Sequence, residues 1–160
     1  MLDYNDERGL KTIKEEYAWF KANEQHLLSL AAKMLNKSKL NFSLQEIDDF
    51  GEAIEKAYNE QMLFQEIDMN FLPAIFIAYY GNAFMHYFGG KWYFSTKKVE
   101  HGYGSPMLIE YGNQRSWAAI PPYDYYIRVI KGSFGKLSRL IEHKISIYER
   151  QSIQLKNPRS

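Results

Sequence analysis

The stretch FLPAIFIAYYGNAFMHYFGG, residues 71–90, is apolar nearly all round when projected on a helix. A surface helix confines its apolar residues to one stripe, so a helix apolar on every face belongs at the centre of a core. Pro73 stands in the first turn, where a missing N–H costs little, and Gly89-Gly90 supplies the stop. Pro73, Gly81, Asn82 and His86 interrupt the run, which falls short of a membrane span. The spacing predicts a buried helix from about Leu72 to Gly89, with Gly81 placed for close approach of another backbone.

Two amphipathic helices are expected before it. Leu10, Ile13, Tyr17, Phe20, Leu27, Ala31, Met34 and Leu35 recur at three- and four-residue spacing, giving a helix over roughly Asn5–Asn36 with a possible break at Asn23. Ser43-Leu44-Gln45-Glu46 reads as a capping box, with Phe42 and Ile47 placed as a hydrophobic staple. Ile47, Phe50, Ile54, Ala57 and Tyr58 then follow one face, and Asp48, Glu52 and Glu55 fall on the opposite, solvated face.

After residue 90 the period switches to two. Trp92, Phe94 and Thr96 alternate with Tyr93 and Ser95, Met107–Tyr111 forms a second strand, and Ser116–Ile120 a third. Short connections between neighbouring strands imply an antiparallel meander. Pro121-Pro122 ends it. A helical segment follows over Tyr123–Lys131, and a last helix spans about Ser133–Gln154 with Leu137, Leu140, Ile141, Ile145 and Tyr148 inward. Lys136, Arg139, His143 and Arg150 share another face. The expected fold is α+β, in one domain over residues 1–160. Residues 1–70 form an acidic helical half, and 71–156 hold the central helix, the sheet and the basic last helix. Residues 157–160 are a frayed tail.

Composition narrows the function. With 46% hydrophobic and 24% charged residues the chain is globular. It has no cysteine, which removes disulfides, thiolate metal sites and cysteine nucleophiles together. No basic segment followed by an apolar one opens the chain, so a cytoplasmic location with no membrane attachment is expected. Residues 1–70 carry 8 Lys/Arg against 14 Asp/Glu, whereas residues 71–160 carry 12 against 5. Such asymmetry either pairs within the fold or marks a partner surface. Aromatic residues reach 16%, among them 13 Tyr, whose apolar body and polar tip suit core margins and recognition surfaces alike.

No catalytic motif is found. His26, His86, His101 and His143 have no metal-ligand spacing, and no cofactor fingerprint is present. His86 reads as a hydrogen-bonded core residue. Gly102-Tyr103-Gly104-Ser105-Pro106 is neither a nucleophile elbow nor a phosphate loop, and reads as a turn. The basic stripe Lys136, Arg139, His143 and Arg150 reads as a solvated face first and a protein-binding face second. Nucleic acid is third and is not expected, because four charges fall short of the usual phosphate contacts.

Tyr80-Gly81-Asn82, Gly89-Gly90-Lys91-Trp92, Gly104-Ser105-Pro106 and Pro121-Pro122-Tyr123-Asp124 stand in a recognisable order around the strands. Over residues 72–140 this resembles a group of bacterial domains, some of which look like immunity proteins of toxin systems. Asn82 stands where an acidic residue is usual in that group. The resemblance implies a non-enzymatic, immunity- or antitoxin-like protein that neutralises a bacterial toxin by binding it. Tyr103, Tyr123, Tyr125, Lys136, Arg139, His143 and Arg150 are the expected contact residues, suited to an acidic partner. The alternative expectation is a small enzyme or ligand-binding domain with a pocket around Asn82, His86 and His101.

Overall fold

The computed structural model describes residues 12–62, 68–97, 104–112, 119–151 and 155–157. The fold is α+β. Helices α1 (Ile13–Met34) and α2 (Leu44–Glu60) precede a 3-10 turn (Met69–Phe71) and the central α3 (Leu72–Phe88). Strands β1 (Lys91–Tyr93), β2 (Met107–Ile109) and β3 (Ala119–Ile120) follow, then α4 (Pro122–Ile130) and α5 (Arg139–Arg150). The sheet is an antiparallel meander in the order β1-β2-β3, with Trp92 opposite Leu108 and Leu108 opposite Ile120.

Helix α3 is enclosed, as its all-round apolarity requires. Thirteen of its 17 residues are buried, including Phe76, Tyr79, Tyr80, Phe84 and Tyr87. Phe20, Leu27 and Ala31 of α1 and Ile47, Phe50 and Ile54 of α2 join the same core, as do Tyr126 of α4 and Ile141 of α5. Gly81 admits a side chain and not a backbone. A Cβ there would overlap the Trp92 indole, which also meets Phe20 edge-on at 5.1 Å.

Helix α1 begins at Ile13 and runs unbroken through Asn23, whose side-chain amide bonds back to the Trp19 carbonyl. Its capping box is Thr12 with Glu15, which the sequence reading passed over. At α2 only half of the expected box forms. Ser43 Oγ accepts from the Glu46 N–H, but Asn41 Oδ1 takes the Ser43 N–H. The Glu46 carboxylate is wholly buried and reaches further back, to the N–H groups of Asn41 (3.0 Å) and Phe42 (2.9 Å). It also accepts from Lys37 Nζ at 2.7 Å and from the Tyr79 hydroxyl at 3.0 Å. One carboxylate thus ties the α1–α2 connection and the start of α2 to α3.

Other corrections concern element ends. Glu110 takes a left-handed φ of 58° and closes β2 early. The last helix starts at Arg139, six residues later than expected, because Gly132 (φ 65°) and Gly135 (φ 72°) turn the chain left-handed. Asp48 is not on a solvated face. It is half-buried and accepts from both the Ser138 N–H (2.8 Å) and its hydroxyl (3.0 Å), anchoring the turn before α5. Residue 157 is not frayed, for Leu155 packs on the core and Lys156 N–H donates to the Tyr87 carbonyl at 2.7 Å. Among the described residues no helix is long and apolar enough to cross a membrane.

Burial opposes ionisation of Glu46, but Lys37, the two backbone N–H groups and Tyr79 outweigh it and hold its pKa below 4.5. A depressed carboxyl pKa adds stability that is fully present above the ordinary carboxylate value and is lost as pH falls through the folded value. Glu46→Gln should therefore cost about 2–4 kcal/mol at neutral pH and flatten the acid limb of the stability profile. Urea unfolding from pH 7 down to pH 3 measures both. An unchanged acid limb in the variant would show that Glu46 is not the carboxylate responsible.

Candidate functional site at the turn between α4 and α5

The eight residues between α4 and α5, Lys131–Ser138, form no helix and sit over the surface of α2. Two concave sites flank them and share Phe134 as a wall. The first is a groove of about 410 Å³ lined by Tyr125 and Arg128 of α4, Ser133 and Phe134 of the turn, and Arg139, Leu140 and His143 of α5. Helical spacing explains the set. Tyr125 and Arg128 lie three residues apart on α4, and Arg139 and His143 four apart on α5, so each pair shares a face.

The groove is built around stacked rings. Phe134 meets Tyr125 edge-on at 5.5 Å, and the Arg128 guanidinium lies 5.5 Å from the centre of the Tyr125 ring on its face. Tyr125 in turn packs on the buried Tyr80 of α3, with ring centres 5.5 Å apart. Burial raises the pKa of Tyr125, and Asp124 adds to this against the opposing pull of Arg128, so its hydroxyl stays protonated and can donate. No carboxylate lines the groove. Among the described residues, Arg128, Arg139 and His143 form no ion pair. Leu140 and the faces of Tyr125 and Phe134 supply the apolar part. Such a site can take a carboxylate-bearing chain: two guanidinium groups offer bidentate hydrogen bonds, and the rings take the aliphatic stem.

Of the contact residues expected from sequence, the groove gathers Tyr125, Arg139 and His143. Lys136 is not on the α5 face with them, since it precedes the helix and lines the second cavity. Arg150 is at the far end of α5, with Nε donating to the Ser146 carbonyl. Tyr123 packs on Tyr126, ring centres 5.8 Å apart, outside the groove. Tyr103 lies outside the described residues. Arg128, Ser133, Phe134 and Leu140 were missed. The signal was present in Gly132-Ser133-Phe134-Gly135, where an aromatic residue between two glycines marks a turn that exposes a ring.

The alternative pocket is not assembled around its expected residues. Asn82 donates to the Ala78 carbonyl at 2.8 Å and faces Glu24, whose carboxyl burial raises while Trp92 and Asn82 pull it partway back. The Trp92 indole Nε1 itself reaches no partner in full hydrogen-bond geometry. His86 faces Phe42, with ring centres 5.7 Å apart, and the chain end, where the Asn157 amide donates to the His86 carbonyl. Neither residue lines either concave site, and His101 lies outside the described residues. Among the described residues no group of three His, Asp or Glu is placed to hold a metal ion.

No family model matches the chain, and neither a curated protein nor a solved structure is similar to it.

Burial, then the Lys156 charge, lower the His86 pKa below 6.5 against a weaker opposing pull from Glu46. With the folded value depressed, stability is complete above pH 6.5 and is lost as pH falls below it, where the unfolded chain binds the extra proton. The bond from Lys156 N–H to α3 should loosen in the same window. Histidine ring NMR with amide exchange of Lys156 over pH 7.5 to 4.5 tests this. A His86 titration at or above its ordinary value would contradict it.

Proposed function

We propose that the chain is a non-enzymatic binding protein whose α4–α5 groove seizes an acidic segment of a protein partner. The observation that carries the reading is the groove itself: Arg128, Arg139 and His143 gathered around Tyr125, Phe134 and Leu140, with no carboxylate among the lining residues. Cations held beside exposed rings are poorly used by the free protein and well used by a partner, since Arg and Tyr dominate the energetics of protein interfaces. Arg128 is already stacked on Tyr125, so less side-chain freedom is lost when a carboxylate arrives. Three cations fall short of the phosphate contacts that nucleic-acid binding normally uses.

The resemblance over residues 72–140 narrows the partner to a bacterial toxin, which the chain would block by occupying its surface in a one-to-one complex. Stoichiometric inhibition of this kind needs shape and charge complementarity and no reacting group.

Quantitative affinity capture from the native host, run with the wild type and with Arg128→Glu/Arg139→Glu, tests both levels. The expected result is one stoichiometric protein, retained by the wild type and reduced about a hundredfold or more by the double reversal, since each lost interfacial charge pair costs roughly 2 kcal/mol or more. Expressed alone, that protein should arrest growth, and only the wild-type chain should relieve the arrest. Equal capture by both forms would remove the groove from the interface. A captured protein without toxicity would leave a binding protein that is not an immunity protein.

A further inference from the structure

The second concave site lies across Phe134 from the groove and carries the opposite charge. It measures about 320 Å³ and is lined by Gln45, Asp48, Gly51, Glu52 and Glu55 of α2, by Val129 of α4, and by Gly132 and Phe134–Leu137 of the turn. Three carboxylates face one lysine there. Asp48, Glu52 and Glu55 fall at helical spacing of three and four, which sets all three on one side of α2. Their tasks differ. Asp48 is spent on Ser138. Glu52 and Glu55 form no ion pair among the described residues, although Lys136 shares the cavity.

The turn leaves this cavity accessible. A Cβ on Gly135 would meet nothing within 4 Å, whereas one on Gly132 would lie 3.5 Å from Glu55 Oε1. The Glu55 carboxylate is thus set against the base of the turn, beside the aromatic wall. Two uncommitted carboxylates and a phenyl ring in a concavity suit a guanidinium or ammonium group on a long side chain, and repel the acidic chain that the groove takes.

We infer that the two sites act as one bipolar receptor, in which a single partner segment places an acidic side chain in the groove and a basic side chain in the α2 cavity, straddling Phe134. This rests on the groove reading and adds the second half of the partner's chemistry. It also gives a reason for selectivity, because a uniformly acidic chain, nucleic acid included, would meet Glu52 and Glu55.

The test is an amide chemical-shift titration of the whole chain with blocked peptides: an acetylated arginine amide, an acetylated aspartate amide, and Asp and Arg joined by glycine spacers of increasing length. The arginine probe should shift Gly132, Phe134, Gly135 and Glu55 saturably. Glu52→Gln/Glu55→Gln should weaken it about fivefold or more while leaving the aspartate shifts at Arg139, Leu140 and His143 intact. One joined peptide should bind tighter than either single probe. If aspartate binds the groove but arginine leaves the α2 cavity unshifted, the inference falls and the groove reading survives. If aspartate leaves the groove unshifted, the groove reading falls and takes the inference with it. Joined peptides no tighter than the single probes would also overturn a shared segment.

Discussion

Everything in this protein is arranged to keep α3 out of water. A helix of 17 residues with 13 of them buried must be covered on every side, and α1, α2, the sheet, α4 and α5 supply the covering. Enclosure has a polar cost, because tyrosines carry their hydroxyls inside with them. Tyr79 answers it by donating to Glu46, and Tyr87 by donating to the Phe42 carbonyl at 2.7 Å. Glu46 is in turn held ionised by Lys37 and two backbone N–H groups, so the central helix and the α1–α2 connection are fixed by one network. The Tyr80 hydroxyl has no partner among the described residues, and burial pushes its pKa far up.

The groove inherits its position from that helix. Tyr80 supports Tyr125 and Phe76 supports Tyr126, so α4 is placed by rings that belong to the core. Asp48 fixes the other end of the turn through Ser138. Between these two anchors the chain has eight residues, two of them glycines at positive φ, and it projects Phe134 where its ring divides two sites of opposite charge. The charge asymmetry of the sequence therefore meets at one place: the acidic half contributes Glu52 and Glu55, and the basic half contributes Arg128 and Arg139.

Much of the fold was legible from residues alone. The all-round apolar run gave the central helix, the switch to period two gave the meander, and Ser43 marked the start of α2. What escaped has physical causes. Glu46 fits a capping box by spacing, but a buried Tyr79 and a nearby lysine offered its carboxylate better partners, and those are distant in sequence. Lys131–Ser138 continues a plausible helical pattern, and only the left-handed glycines with the long-range bond from Asp48 reveal that it is a turn. Because the turn was read as helix, Lys136 was grouped with Arg139 and His143, and Phe134 was overlooked. The rings and cations of the groove come from α4, the turn and α5, which no spacing rule could have brought together.

The most direct measurement of the central claim is photo-crosslinking in living host cells, with a photoreactive amino acid at Leu140 in the groove and, separately, at Tyr93 on β1. The account predicts one discrete heavier species from the Leu140 position, absent when Arg128 and Arg139 are reversed in charge, and none from Tyr93. A crosslinked species of equal yield from Tyr93, or one from Leu140 that survives the charge reversal, would contradict it.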